Sequence, residues 1–290
     1  MALASMSEIF ERMARNGQEF WEVVLADDMD ERQVSREASM AKMLTTWQAM
    51  QDAADSYTGR KRSVSGLVGG DGMKMRQYTF RGCAMTGGYV SEVIAEALSM
   101  AESNACMRRI VAAPTAGACG VLPAVLLPLC KYEELTQHQL LEALYVAAGI
   151  GSIIAYKASI AGASGGCQAE IGTASAMAAG ALVALRGGEG EQIGHAVAMA
   201  LKNLMGLVCD PVAGLVEVPC VKRNVIGAVN AVSAADMALA GIESRIPVDE
   251  VIDAMGEVGR RMPVEFRETL PPRRPAERSK NACLRARSRT

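Results

Sequence analysis

The stretch ALYVAAGIGSIIAYKASIAGASGGCQAEIGTASAMAAGALVAL, residues 143–185, decides the fold. It opens a span from Ala143 to Ala240 rich in Ala, Gly, Ser and Met, residues that let helices approach one another closely. Such a span predicts a bundle whose apolar helices are buried on most sides. The flanking sequence is also helical. Met40, Met43, Leu44, Trp47, Met50 and Ala54 recur at spacings of three and four, forming one stripe of an amphipathic helix. Thr136 and Gln139 are the ends of a capping box ahead of Leu140, Leu141 and Leu144. Pro247 opens a helix that runs through Val248, Val251, Ile252 and Met255 towards Gly259. Strand signals are few, with Val216 to Val221 the main candidate, and aromatic residues make up 4% of the chain. The expectation is a mainly α fold with buried, small-residue-rich helices.

The chain of 290 residues is 50% hydrophobic, enough to bury a sizeable core in one large or two modest domains. Thirty basic residues against 32 acidic ones give a formal charge of -2, which points to neither nucleic acid nor a membrane surface. Glu8, Glu11 and Arg12 interrupt the first residues, so no secretory signal is expected. Ile110 to Cys130 lacks charges, but Pro114, Gly117, Gly120, Pro123 and Pro128 break it into a buried loop and a short core helix instead of a span. Eight cysteines without a signal imply a reducing compartment, the cytoplasm, and no disulfides. From Leu270 to Thr290 the composition turns to Pro, Arg and Ser, so residues 1–269 are expected as the folded domain and 270–290 as a flexible basic tail.

Three constellations can carry chemistry. In Ser65 to Lys74, SGLVGGDGMK, the glycines can turn backbone amides towards an anion, although a plain turn has the same composition. In Ala113 to Gly120, APTAGACG, small residues precede the apolar run Val121 to Leu129, and backbone donors there suit a carboxylate or simply form a tight buried loop. Cys167, Cys209 and Cys220 contain no C-x-x-C pair, so spacing alone favours buried thiols over metal ligands. Each nevertheless lies near Gly or Pro, where irregular backbone can aim sulfur at a shared centre. Three thiolates on a four-iron cluster would leave one iron open as a Lewis acid.

Over roughly Met6 to Thr269 the chain resembles the α subunit of iron–sulfur-dependent bacterial L-serine dehydratases. The resemblance rests on Ser65 to Lys74, Ala113 to Gly120, Gly162 to Gly172 and Asn203 to Asn224, above all on LVCDPVAGLVEVPC at 207–220. It implies a largely helical catalytic domain in which Cys167, Cys209 and Cys220 hold a [4Fe–4S] cluster. L-serine would meet the open iron through its hydroxyl, with its carboxylate held by Ser65, Gly69, Gly70 and Asp71 and by Thr115 and Gly117. A base would take the α proton and water would leave. The aminoacrylate would then decay to pyruvate and ammonia without pyridoxal phosphate. Candidate bases are Lys157, if burial lowers its pKa, and Glu170, one helical turn after Cys167; either can instead be an ion-pair partner. His195 is expected to be packed or partly exposed and His138 exposed. Cys283 is expected as an exposed bystander thiol, the alternative being a fourth ligand to the cluster. A separate β subunit is the implied partner, with no nucleic acid and no membrane. The competing readings are a related lyase for L-threonine or L-cysteine and a noncatalytic iron–sulfur sensor.

Overall fold

A computed structural model describes residues 3–268; the segment from Leu270 to Thr290, Cys283 included, lies outside the described residues. In chain order the helices are α1 (Met6–Asn16), α2 (Phe20–Arg32), α3 (Arg36–Asp55), α4 (Asp71–Phe80), α5 (Gly87–Ala105), α6 (Val121–Tyr132), α7 (Gln137–Lys157), α8 (Gly162–Gly165), α9 (Thr173–Leu185), α10 (Gly190–Leu204), α11 (Cys220–Leu239) and α12 (Val248–Arg261). The fold is mainly α, 70% helical with no strand among the described residues.

At the centre stands α9, TASAMAAGALVAL, in which every residue from Thr173 to Val183 is buried. A helix without a polar face must be covered on all sides, and α6, α7, α10 and α11 surround it. Small side chains set the spacing. A Cβ on Gly180 would lie 2.2 Å from Ile150 Cδ1 on α7, so only glycine admits that approach. The capping box closes as expected: Gln139 N–H donates to Thr136 Oγ1 (3.3 Å) and Thr136 N–H to Gln139 Oε1 (2.9 Å). The helix it starts, α7, is long and apolar enough to cross a membrane by composition alone, but most of it is buried inside this bundle. The uncharged Ile110–Cys130 region is a loop, a 3₁₀ turn (Ala116–Ala118) and the buried start of α6.

The amphipathic stripe of α3 buries Trp47, Met50 and Ala54, and α12 follows Pro247 and buries Val251, Ile252 and Met255. The strand expected at Val216 to Val221 does not form. Val212 N–H donates to the Val218 carbonyl and Glu217 N–H to that of Leu215, both at 2.8 Å, so turn bonds consume the groups a ladder would need. Pro219 offers no N–H, and α11 begins at the next residue.

Candidate functional site

Around α9 the chain assembles four loops and one helix start. Gly166, with φ +71°, turns the chain out of α8; a Cβ there would lie 2.7 Å from Met262 Sδ. Cys167 follows and leads into a π-helical turn, Gln168–Gly172, a rare feature often found at functional sites. Gln168, 1% exposed, fixes this turn in three directions. Its Nε2 donates to the Met255 carbonyl (3.1 Å), its Oε1 accepts from Gly206 N–H (2.8 Å), and its N–H donates to the Leu207 carbonyl (2.9 Å). The loop carrying Cys209 is thereby tied to the turn after Cys167, while Cys209 N–H donates to the Phe266 carbonyl (2.9 Å). Cys220 is the first residue of α11. Three residues on, Arg223 Nη1 donates to Cys167 Sγ (2.9 Å) and to the Val208 carbonyl (2.8 Å).

The electrostatics follow from these contacts. Cys167 and Cys209 share a hydrogen bond that holds the Cys167 thiol below its ordinary range; burial opposes this and Arg223 adds to it. The same bond, with burial, pushes Cys209 up. Burial, helped by the charge on Cys167, pushes Cys220 up to about 12. None of the described cysteines is in a disulfide. Among the described residues no three His, Cys, Asp or Glu side chains converge as the ligands of a single ion would.

Glu170 stands beside the sulfurs on the π turn. A Cβ on Gly117 would lie 3.2 Å from Glu170 Oε2, and one on Gly162 would lie 3.0 Å from that oxygen and 2.7 Å from Glu268 Oε2. Bare backbone at these two glycines makes room for a pair of neighbouring carboxyl groups. Burial raises the pKa of Glu170 and the charge of Glu268 adds to the effect, while the Thr115 hydroxyl opposes it. Thr115 Oγ1 is buried and faces Glu170 without closing a hydrogen bond. Asn224, fully buried, fixes this loop to α11. Its Nδ2 donates to the carbonyls of Gly117 (2.8 Å) and Cys220 (3.1 Å), and its Oδ1 accepts from Gly120 N–H (2.9 Å). Thr115, Gly117, Cys167, Glu170, Cys209 and Cys220 are thus brought together.

The Ser65–Lys74 loop has a carboxylate of the chain itself among its partners. Glu102 on α5, 1% exposed, accepts from Gly70 N–H (3.0 Å), Asp71 N–H (2.8 Å) and the Tyr57 hydroxyl. Ser65 donates to Glu217, as does Ser63 (2.7 Å). Gly69, at φ +133°, is the residue whose Cβ would fall 2.3 Å from the Lys61 carbonyl. The Asp71 carboxylate pairs with Lys74 (2.8 Å) and Lys222 (3.3 Å). In this structure the Ser65 hydroxyl and the Gly70 and Asp71 amides, expected at a substrate carboxylate, serve Glu217 and Glu102, and Gly69 answers a steric need. The loop anchors the start of α11.

The candidate base Lys157 is an ion-pair partner in this structure. It bridges α7 to Asp249 (3.1 Å) and Asp253 (3.2 Å) of α12. Burial alone would lower its pKa, but the two aspartates outweigh burial and raise it. His195 Nδ1 accepts from Ser244 N–H (3.4 Å), and exposed His138 pairs with Glu142 (3.3 Å). Sequence reasoning missed Gln168, Arg223, Asn224 and Glu268. For Arg223 and Asn224 a signal existed: a cation and an amide three and four residues after Cys220.

Residues 15–271 match the family described as "Serine dehydratase alpha chain". The chain is similar to a "Probable L-serine dehydratase, alpha chain" of Bacillus subtilis (strain 168), 46% identical over 248 residues that cover 86% of this chain and 83% of that one. It is 39% identical to the "L-serine dehydratase, alpha chain" of Peptoniphilus asaccharolyticus over 268 residues, 92% of each chain. With "L-serine dehydratase 2" of Escherichia coli (strain K12) it shares 47% identity over 175 residues, 60% of this chain but 38% of that protein.

Proposed function

The chain belongs to the serine dehydratase α-chain family and acts on L-serine, and we propose that it eliminates water from that substrate with the help of a [4Fe–4S] cluster held by Cys167, Cys209 and Cys220. The ligand set is supported by three sulfurs on neighbouring segments, none in a disulfide, with an arginine cation beside them. A cluster binds each cysteine through a different iron, so its ligands ring a volume instead of meeting at a point. When bound, such a cluster offers one iron without a protein ligand as a Lewis acid that draws charge from the departing hydroxyl.

The remaining work falls to side chains. The Thr115 hydroxyl, buried and in need of a partner, and the backbone around Gly117 receive the serine carboxylate. Glu170 takes the α proton. Its raised pKa brings it nearer the working pH, where a carboxylate is still ionised yet accepts a proton more readily. The electrons of the broken C–H bond form the double bond as the hydroxyl leaves with its own pair. The aminoacrylate then tautomerises and hydrolyses, so the protein need promote only the elimination. Holding carboxylate and α carbon against one rigid floor removes much of the entropic part of the barrier.

A companion β chain completes this picture: the relatives are named alpha chains, and the matched part is 38% of the longer Escherichia coli protein. Cysteines without disulfides suit a reducing cytoplasm. The convergence of three cysteine segments on Glu170 and Thr115 is the observation that carries the proposal. The test is pyruvate formation from L-serine by protein reconstituted anaerobically with iron and sulfide, together with its companion chain. Turnover that disappears on exposure to air is expected. A stable iron-loaded protein without turnover would favour a sensor.

A further inference from the structure

One side chain touches or adjoins all three cysteine segments. Arg223 stands on the first turn of α11, three residues after Cys220. Its Nη1 donates both to Cys167 Sγ (2.9 Å) and to the carbonyl of Val208, the residue before Cys209 (2.8 Å). Gln168 joins the Cys167 turn to the 206–207 loop, and Asn224 joins the 117–120 loop to α11. We propose that Arg223 is the positioning residue of the cluster site, a clamp that sets the mutual placement of Cys167, Cys209 and Cys220 and gives one ligand sulfur an N–H donor. The inference rests on the cluster assignment above, and concerns which residue prepares the ligands to receive it.

Two physical consequences follow. Hydrogen bonds to ligand sulfurs tune the reduction potential of an iron–sulfur cluster, and a donor that is also a cation stabilises the more negative state. Residues that orient ligands typically govern metal affinity by about 10–100-fold. A guanidinium is suited to this because its planar fork can serve two acceptors at once, whereas a lysine ammonium is a point charge on a flexible stem.

The experiment compares wild type, Arg223→Gln and Arg223→Lys as complete, anaerobically reconstituted protein. Iron and sulfide content, the rate of bleaching by a chelator, and the midpoint potential are measured. The expected result is bleaching about 10–100-fold faster in Arg223→Gln, with a lower potential. Arg223→Lys is expected to recover the potential in part but not the retention. Amide hydrogen exchange on the apoprotein tests the clamp without any cluster: peptides covering residues 206–210 should exchange about tenfold faster in Arg223→Gln, while those of α9 stay protected. Wild-type retention, potential and exchange in both variants would overturn the proposal. A wild type that takes up no iron would sink the cluster assignment alone, and the exchange comparison would still decide whether Arg223 is the clamp.

Discussion

Glu170→Gln keeps the shape of the side chain and removes its ability to accept a proton, so pyruvate formation should fall by about 10²–10⁴-fold while the iron content stays at the wild-type level. An equal loss of iron would make Glu170 a structural residue instead. Because burial and Glu268 raise its pKa above the ordinary 4.5, activity should be lost on acidification at a pH above that value, as the carboxylate takes up a proton before substrate binds. Glu102 acts differently. As the internal carboxylate of the Gly70–Asp71 turn, its replacement by glutamine weakens several amide hydrogen bonds at once and should cost about 1.5–3 kcal/mol, read as a lower Tm with the site chemistry intact. Neither role was fully legible in the sequence. Glu170 stood out as a candidate because it lies one turn from a cysteine, whereas Glu102 shares its helix with Glu92 and Glu96 and finds its partners 31 residues away in Asp71 and 32 away in Gly70.

At the level of elements, the spacing of apolar residues and the caps placed α3, α7 and α12, because those helices carry amphipathic faces or explicit start signals. The segment at 216–221 misled because β-branched residues mark strands only where a neighbouring strand exists to pair with, and here turn bonds and Pro219 intervene. The contact of α7 with α9 depends on glycine: Gly180→Val would press against Ile150 and should cost about 1–3 kcal/mol in denaturant unfolding. The strut between α7 and α12 predicts a pH window. Burial alone would raise the pKa of Asp249, but the Ser7 hydroxyl and amide, Lys157 and the Met6 amide together hold it below its ordinary 3.8. Its contribution to stability is therefore present above that value and lost as pH falls through the lower folded-state value. Lys157 has a raised pKa, so its contribution is present below 10.5 and lost as pH rises through the folded-state value. Asp249→Asn should flatten the acid side of the stability profile, measured by urea unfolding between pH 2 and pH 6 (values chosen to span roughly the ordinary carboxylate range); an unchanged acid slope would deny the strut.

On the scale of the whole molecule, a central helix with no polar face forces its neighbours to wrap it, and the loops at one end of that wrap bring distant segments together. The mainly α architecture was legible because composition and periodicity agree over long stretches. The three cysteines were singled out through likeness to a family, not through spacing. What links the cysteines was not legible, since Arg223 meets Cys167 across 56 residues and Gln168 meets Gly206 across 38, and such pairings exist only after folding. The central claim is that three cysteines leave one iron for substrate. Mössbauer spectroscopy of the ⁵⁷Fe-loaded protein, before and after L-serine is added, tests it most directly. The account predicts a cluster in which one iron site changes its parameters on addition of L-serine and the other three do not; a cluster whose spectrum L-serine leaves unaltered, or iron retained undiminished in Cys167→Ala, Cys209→Ala and Cys220→Ala, would contradict it.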